Sequence, residues 1–170
     1  YYYETKNLTF SKNTVYASCN YIKFIESKKV FYSMQKKEVL DLSTADFVLM
    51  RQNPPFNIDY ITATFLLEKI SKKTRVINNP FSVRNMPEKL YSIEFLKFMP
   101  PTIFTKNIDE IIKFKKKFKK IVIKPTHGYG GKNILFINNN LSKTKIINYI
   151  KKHDHVIVQK FIPQIKSGDK

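Results

Sequence analysis

At 170 residues, 42% hydrophobic and 14% aromatic, the chain can hold one ordinary globular domain or two small ones, each with a real core. No apolar run approaches the ~20 residues of a membrane span, so neither a spanning helix nor a membrane partner is expected. The formal charge of +18 invites nucleic acid, yet arginine occurs only at Arg51, Arg75 and Arg84 while lysines are scattered along nearly every segment, so no specific nucleic acid partner is expected. The abundance of Lys together with Asn, Ile, Phe and Tyr fits compositional drift rather than a selected basic face. Cys19 is the only cysteine, which excludes an internal disulfide and a cysteine-based metal site and fits a reducing compartment.

From Tyr1 to about Met34 short apolar runs, Thr14 to Ala17, Tyr21 to Ile25 and Val30 to Met34, predict strands and the tail of an α/β unit. Phe47 to Met50 reads as a buried strand that ends in Arg51-Gln52-Asn53-Pro54-Pro55-Phe56, and a strand end carrying a cation is where open α/β sheets place ligand contacts. Ile58 to Lys72 is helical, with Ile61, Phe65, Leu66 and Ile70 near a 3.6 period, and Arg75 to Ile77 follows as a strand. Strand, helix, strand predicts a parallel unit with a right-handed crossover, so the first half is expected to be a parallel α/β domain.

Asn79-Pro80 is expected to break that pattern. Asn85-Met86-Pro87-Glu88 looks like the start of a helix running through Lys89, Leu90, Ile93, Phe95 and Leu96 to Met99, where Pro100-Pro101 stops it. Thr102 to Phe104 then reads as a strand, Asn107 opens a capped helix, Asn140 to Lys151 is a further helix, and Val156 to Ile162 is a strand ended by Pro163. The second half is expected to be α+β, an antiparallel sheet with helices on one side.

Between those helices lies the stretch with chemistry in it. Ile121 to Lys124 and Ile134 to Ile137 are apolar β-runs joined by a loop containing Gly128, Gly130 and Gly131, with Lys124 closing the first run. Flexible backbone N–H groups beside a fixed positive charge suit the oxygens of a polyphosphate. The P-loop pattern is excluded, because it needs glycine at 126 and a hydroxyl residue at 133 where the chain has Thr126 and Asn133. The dinucleotide fingerprint is excluded too, since it needs a third glycine at 133 and a helix after it. What remains is a hairpin flap, or a plain glycine-rich turn with a solvated lysine. His127, His153 and His155 have no metal-ligand spacing with Cys or Glu.

Taken together these motifs resemble bacterial glutathione synthetase, an ATP-grasp ligase. The likeness is carried by Val48-Leu49-Met50-Arg51-Gln52-Asn53-Pro54-Pro55-Phe56 with Tyr60 to Glu68, by Ile77 to Pro80, Ser82 to Asn85 and Glu88 to Leu90, and by Pro101-Thr102, Ile123 to Pro125, Gly128 to Gly131, Gln159 to Pro163 and Gly168 to Lys170. The resemblance implies a pre-ATP-grasp α/β domain over residues 1–85 and the first lobe of an ATP-grasp domain over residues 86–170. It implies Lys89 and Lys124 as phosphate-contacting catalytic lysines, and Gly128, Tyr129, Gly130 and Gly131 as a flap over ATP. Gln159, Lys160, Phe161 and Ile162 become the strand that holds the adenine, with Val158 in its apolar wall, and Asp169 lies near the ribose. Arg51 and Asn53 are candidates for shaping the dipeptide site.

The reaction so implied joins γ-glutamylcysteine to glycine through an acyl phosphate, with ATP and magnesium, in the cytoplasm. The first strand of the N-terminal domain and the second ATP-grasp lobe are expected to belong to a longer protein, with magnesium ligands beyond residue 170 and none in this chain, so that the chain alone is expected to be inactive. Homo-oligomerisation of the full-length protein is left open. Another ATP-grasp carboxylate–amine ligase would share the lysines and flap without predicting the Met-Arg-x-x-Pro-Pro-Phe stretch. A basic nucleic-acid-binding module would show steep salt dependence and no preference for ATP.

Overall fold

Asn57, Asn79, Asn107 and Ser142 each stand one residue before a helix, and each side chain accepts a hydrogen bond from a backbone N–H of the first turn. Such caps satisfy donors that a helix start leaves unpaired, and they punctuate this chain. The computed structural model describes residues 1–26, 29–138 and 142–168 and divides into two units, Tyr1–Pro87 and Glu88–Lys170.

In the first unit β1 (Leu8–Ser11), β2 (Thr14–Phe24) and β3 (Tyr32–Asp41) form an antiparallel sheet in that order. The tail of an α/β unit expected here is replaced by hairpins. Lys12 and Asn13, at φ 47° and 60°, make the two-residue turn from β1 to β2, a positive-φ geometry that suits hairpin twist. Gln35 to Val39 is exposed along β3 and so lacks the apolar alternation that would have marked it as strand. On β2, Val15, Ala17 and Cys19 alternate inward, fully buried, to meet Leu42, Val48, Met50, Leu67 and Ile70.

The expected parallel unit is present: β4 (Phe47–Leu49) and β5 (Arg75–Ile77) pair in parallel, with α1 (Ile58–Ile70) between them in sequence. Its details differ from the sequence reading. Val48 and Met50 are buried while Phe47 and Leu49 are exposed, so the run alternates. On α1 the buried positions are Ala63, Thr64, Leu67 and Ile70 rather than Ile61, Phe65 and Leu66 with Ile70. The helix is apolar on most sides, so its periodicity did not single out a face. Asn79-Pro80 starts α2 (Pro80–Asn85) instead of breaking the chain, with proline where a helix start needs no N–H. Asn85 therefore ends a helix, donating to Phe81 O at 2.8 Å, and does not cap the next one.

The second unit opens with α3 (Glu88–Tyr91), followed by a 3₁₀ stretch Ser92–Phe98 in which Phe95 is non-helical. The single helix expected up to Met99 is thus one α-turn and a looser coil. The Ser92 hydroxyl bonds Lys89 O at 2.5 Å, the local competition by which serine weakens regular helix. A four-stranded antiparallel sheet follows in the order β6 (Thr102–Thr105), β9 (Val156–Lys160), β7 (Ile121–Pro125), β8 (Leu135–Ile137). The helices α4 (Ile108–Phe118) and α5 (Lys143–His153) cover one face. There Ile111, Phe114 and Ile146 pack on Ile121, Ile123, Ile137, Val156 and Val158. Ile134 falls just outside β8, and Phe161 and Ile162 just beyond β9.

Candidate functional site

Strand alternation sends Ile121 and Ile123 into the helix-covered core and turns Lys124 to the opposite sheet face. The β7–β9 register places Val122 across from Gln159 and Lys124 across from Ile157, and the β6–β9 register places Thr102 across from Gln159. Lys124, Gln159 and Thr102 consequently share the open face. Lys124 Nζ donates to Gln159 Oε1 at 2.9 Å, Gln159 Nε2 donates to Thr102 Oγ1 at 2.9 Å, and Thr102 donates to Pro100 O at 2.6 Å. Phe136 and Phe161 adjoin, ring centroids 4.7 Å apart, and supply an apolar surface.

The glycine loop leaves β7 at Thr126, whose hydroxyl donates to His155 O at 3.1 Å. Gly130, Gly131 and Asn133 all have positive φ, which curls the loop back toward β8. At Gly128 the need for glycine is spatial: a Cβ would lie 2.9 Å from Pro125 Cγ. Lys89 Nζ donates to the Gly128 carbonyl, so α3 and the loop meet through one of the two lysines. Tyr149 of α5 reaches the carbonyls of Ile123, at 3.4 Å, and Asn133, bracing the loop's far end. Burial pushes the Tyr149 hydroxyl up to about 12, which keeps it neutral.

Burial, and then the positive charge of Lys89, hold the Lys124 ammonium below its ordinary lysine value. Two cations close enough to feel each other, at the mouth of a glycine loop and with an aromatic surface nearby, have the chemistry that suits a polyanion with an apolar part. Among the described residues no group of three or more His, Cys, Asp or Glu side chains is placed to hold a metal ion.

Of the residues singled out from sequence, Lys89 is hydrogen-bonded to Gly128 and Lys124 to Gln159, as two separate pairs. Tyr129 is exposed, with Lys132 Nζ 5.4 Å from its ring centroid. Lys160 and Phe161 use their N–H groups internally, on Pro101 O at 2.9 Å and Lys120 O at 3.0 Å. Val158 does not belong to an apolar wall here: it is fully buried between sheet and helices, because alternation points it away from Gln159. Asp169 lies outside the described residues. Arg51 and Asn53 belong to the first unit, where they border a cleft of about 870 Å³ lined also by Tyr1, Tyr3, Leu42 and Val48. Thr102 and Phe136 were given no site role in the sequence reading; the strand register sets Thr102 opposite Gln159, and the ring contact sets Phe136 beside Phe161.

The profile of the prokaryotic glutathione synthetase N-terminal domain matches residues 1–84, and that of the prokaryotic glutathione synthetase ATP-grasp domain matches residues 88–170. A glutathione synthetase of Rhodopseudomonas palustris is 36% identical over 172 residues, covering 99% of this chain and 55% of its own length. One of Bradyrhizobium diazoefficiens is 42% identical over 132 residues, covering 76% and 42%. The chain thus spans about half the length of the curated relatives it matches. Among solved structures, a D-cycloserine synthetase superposes with TM-score 0.56 at 19% identity, over 74% of this chain and 47% of its own. A RimK domain ATP-grasp protein of Sphaerobacter thermophilus superposes with TM-score 0.52 at 17% identity, over 69% and 46%. These two likenesses concern the fold alone. With the two profiles covering nearly every residue, the chain belongs to the prokaryotic glutathione synthetase family.

Proposed function

We propose that this chain is part of an ATP-dependent ligase that joins γ-glutamylcysteine to glycine, the cysteinyl carboxylate being activated as an acyl phosphate. Residues 1–85 act as the pre-ATP-grasp domain and residues 86–170 as the first ATP-grasp lobe, the remaining lobe belonging to a longer protein of the cytoplasm. The observation that carries this reading is the convergence of Lys89 on the Gly128 carbonyl and of Lys124 on Gln159, beside a loop whose glycines allow close backbone approach.

In this reading Lys89 and Lys124 bind phosphate oxygens and offset charge as the γ-phosphoryl group leaves. Gly128 to Gly131 fold over the phosphates and exclude water. Phe161 and Ile162 face the base, and among the described residues the Ile162 N–H makes no hydrogen bond, which leaves it available to a purine acceptor. Asp169 serves the ribose, and Arg51 and Asn53 shape the dipeptide site. Magnesium, when bound, neutralises phosphate charge, and acidic ligands outside the described residues hold it.

The test is ADP release by the protein expressed from its whole reading frame, given ATP, magnesium, γ-glutamylcysteine and glycine, alongside Lys124→Ala. Turnover that needs both amino substrates and is lost in the variant is expected. An unchanged rate in Lys124→Ala, or turnover indifferent to γ-glutamylcysteine, overturns the proposal. The 170-residue chain by itself is expected not to turn over.

A further inference from the structure

We propose that Thr102 is a positioning residue that fixes which end of the Gln159 side-chain amide faces Lys124, an inference that rests on the nucleotide reading above. The direction follows from counting protons. Pro100 O can only accept, so the Thr102 hydroxyl, 2.6 Å away, directs its one hydrogen there. Toward Gln159 the Thr102 oxygen then offers lone pairs alone, and at 2.9 Å it takes an amide N–H. The amide oxygen is thereby left facing Lys124, where it accepts from the ammonium at 2.9 Å. A flipped amide would set N–H against ammonium, donor against donor, and oxygen against oxygen at Thr102.

The backbone makes the relay rigid. Thr102 and Gln159 are directly opposed in the β6–β9 ladder, and Lys124 is two residues beyond the Val122–Gln159 pair in β7, on the same face of the sheet. Lys124 is part-buried and adjoins a second cation, so a correctly turned acceptor matters more to it than to a solvated lysine. With one of its three N–H groups held by Gln159, the ammonium presents the other two to a ligand oxygen in a fixed direction.

The experiment uses the protein expressed from its whole reading frame and reads ATP affinity by titration calorimetry. Thr102→Val keeps the shape and removes the hydroxyl; ATP affinity is expected to fall about tenfold, and Thr102→Ser to restore it within about twofold. A double-mutant comparison separates positioning from generic damage. In the Gln159→Met background there is no amide to orient, and Thr102→Val is expected to cost nothing further. Should Thr102→Val fail to fold, Thr102→Ala in the same two backgrounds supplies the comparison. Wild-type affinity in the threonine variant, or an equal loss in both backgrounds, overturns the relay. If Lys124→Ala abolishes binding while Thr102→Val leaves it intact, only this inference falls; if Lys124→Ala also binds normally, the nucleotide reading falls with it.

Discussion

Gly128→Ala separates crowding from backbone strain within the loop. The added Cβ would lie 2.9 Å from Pro125 Cγ and 3.5 Å from Lys89 Nζ. The lysine tip can move aside, but the proline ring is fixed at the end of β7, so the loop backbone has to retreat by several tenths of an ångström. Overpacking of this kind costs about 1–3 kcal/mol, and it carries the Gly128 carbonyl away from Lys89. Gly130, by contrast, has φ +62° with nothing within 4 Å of an added Cβ, and asparagine accepts that backbone region readily. If the loop covers the phosphates, Gly128→Ala should weaken ATP binding by roughly 5- to 150-fold, while Gly130→Asn changes it by no more than about threefold. Titration calorimetry on the protein from its whole reading frame reads both. Thermal unfolding should come earlier in Gly128→Ala, which bears the crowding with or without ligand, and move little in Gly130→Asn, where the added side chain meets nothing. Wild-type affinity in Gly128→Ala, or an equal loss in Gly130→Asn, would refute the reasoning.

The depressed Lys124 predicts a pH dependence whose sign is fixed: the ammonium loses its proton at lower pH than the ordinary 10.5, and the neutral amine cannot balance phosphate. ATP affinity should therefore decline as pH rises toward that value, before exposed lysines titrate, and Lys124→Arg should flatten the decline, as titrations at several pH values will read. Cys19 is fully buried, its thiol pushed up by burial, and it donates to Ala17 O at 3.3 Å. A thiol reagent should label it only as fast as the first unit opens, and addition of urea should bring a sharp rise in labelling rate. Ile123→Ala should lower stability by about 2–5 kcal/mol in urea unfolding, since the side chain is fully buried among Ile111, Phe114 and Val158. Arg84→Lys should destabilise the first unit measurably in the same assay. Arg84 lies 3.8 Å from the Phe65 ring centroid and bonds Glu68 at 2.7 Å and Thr64 at 3.2 Å, a stacked fork that an ammonium cannot reproduce.

The sequence by itself determined those features that depend on local chemistry. The β-runs around the glycines, the capped helix opened by Asn107 and the strand beginning at Val156 each follow from side-chain type and near-neighbour spacing, and each is found within a residue or two of the expected bounds. The polar ribbon β3, the buried face of α1 and the broken helix after Lys89 were illegible for one reason: neither their polarity nor their apolar pattern singles out a partner, so long-range pairing chose the outcome. The relay shows the same division more sharply. Lys124 was visible as a cation at a strand end, whereas its orientation depends on a glutamine 35 residues away and a threonine 57 residues from that glutamine. Only the antiparallel register of β6, β9 and β7 brings the three onto one face. That register is set by which residues the helices bury on the other side of the sheet, a property of the folded whole that no single segment contains.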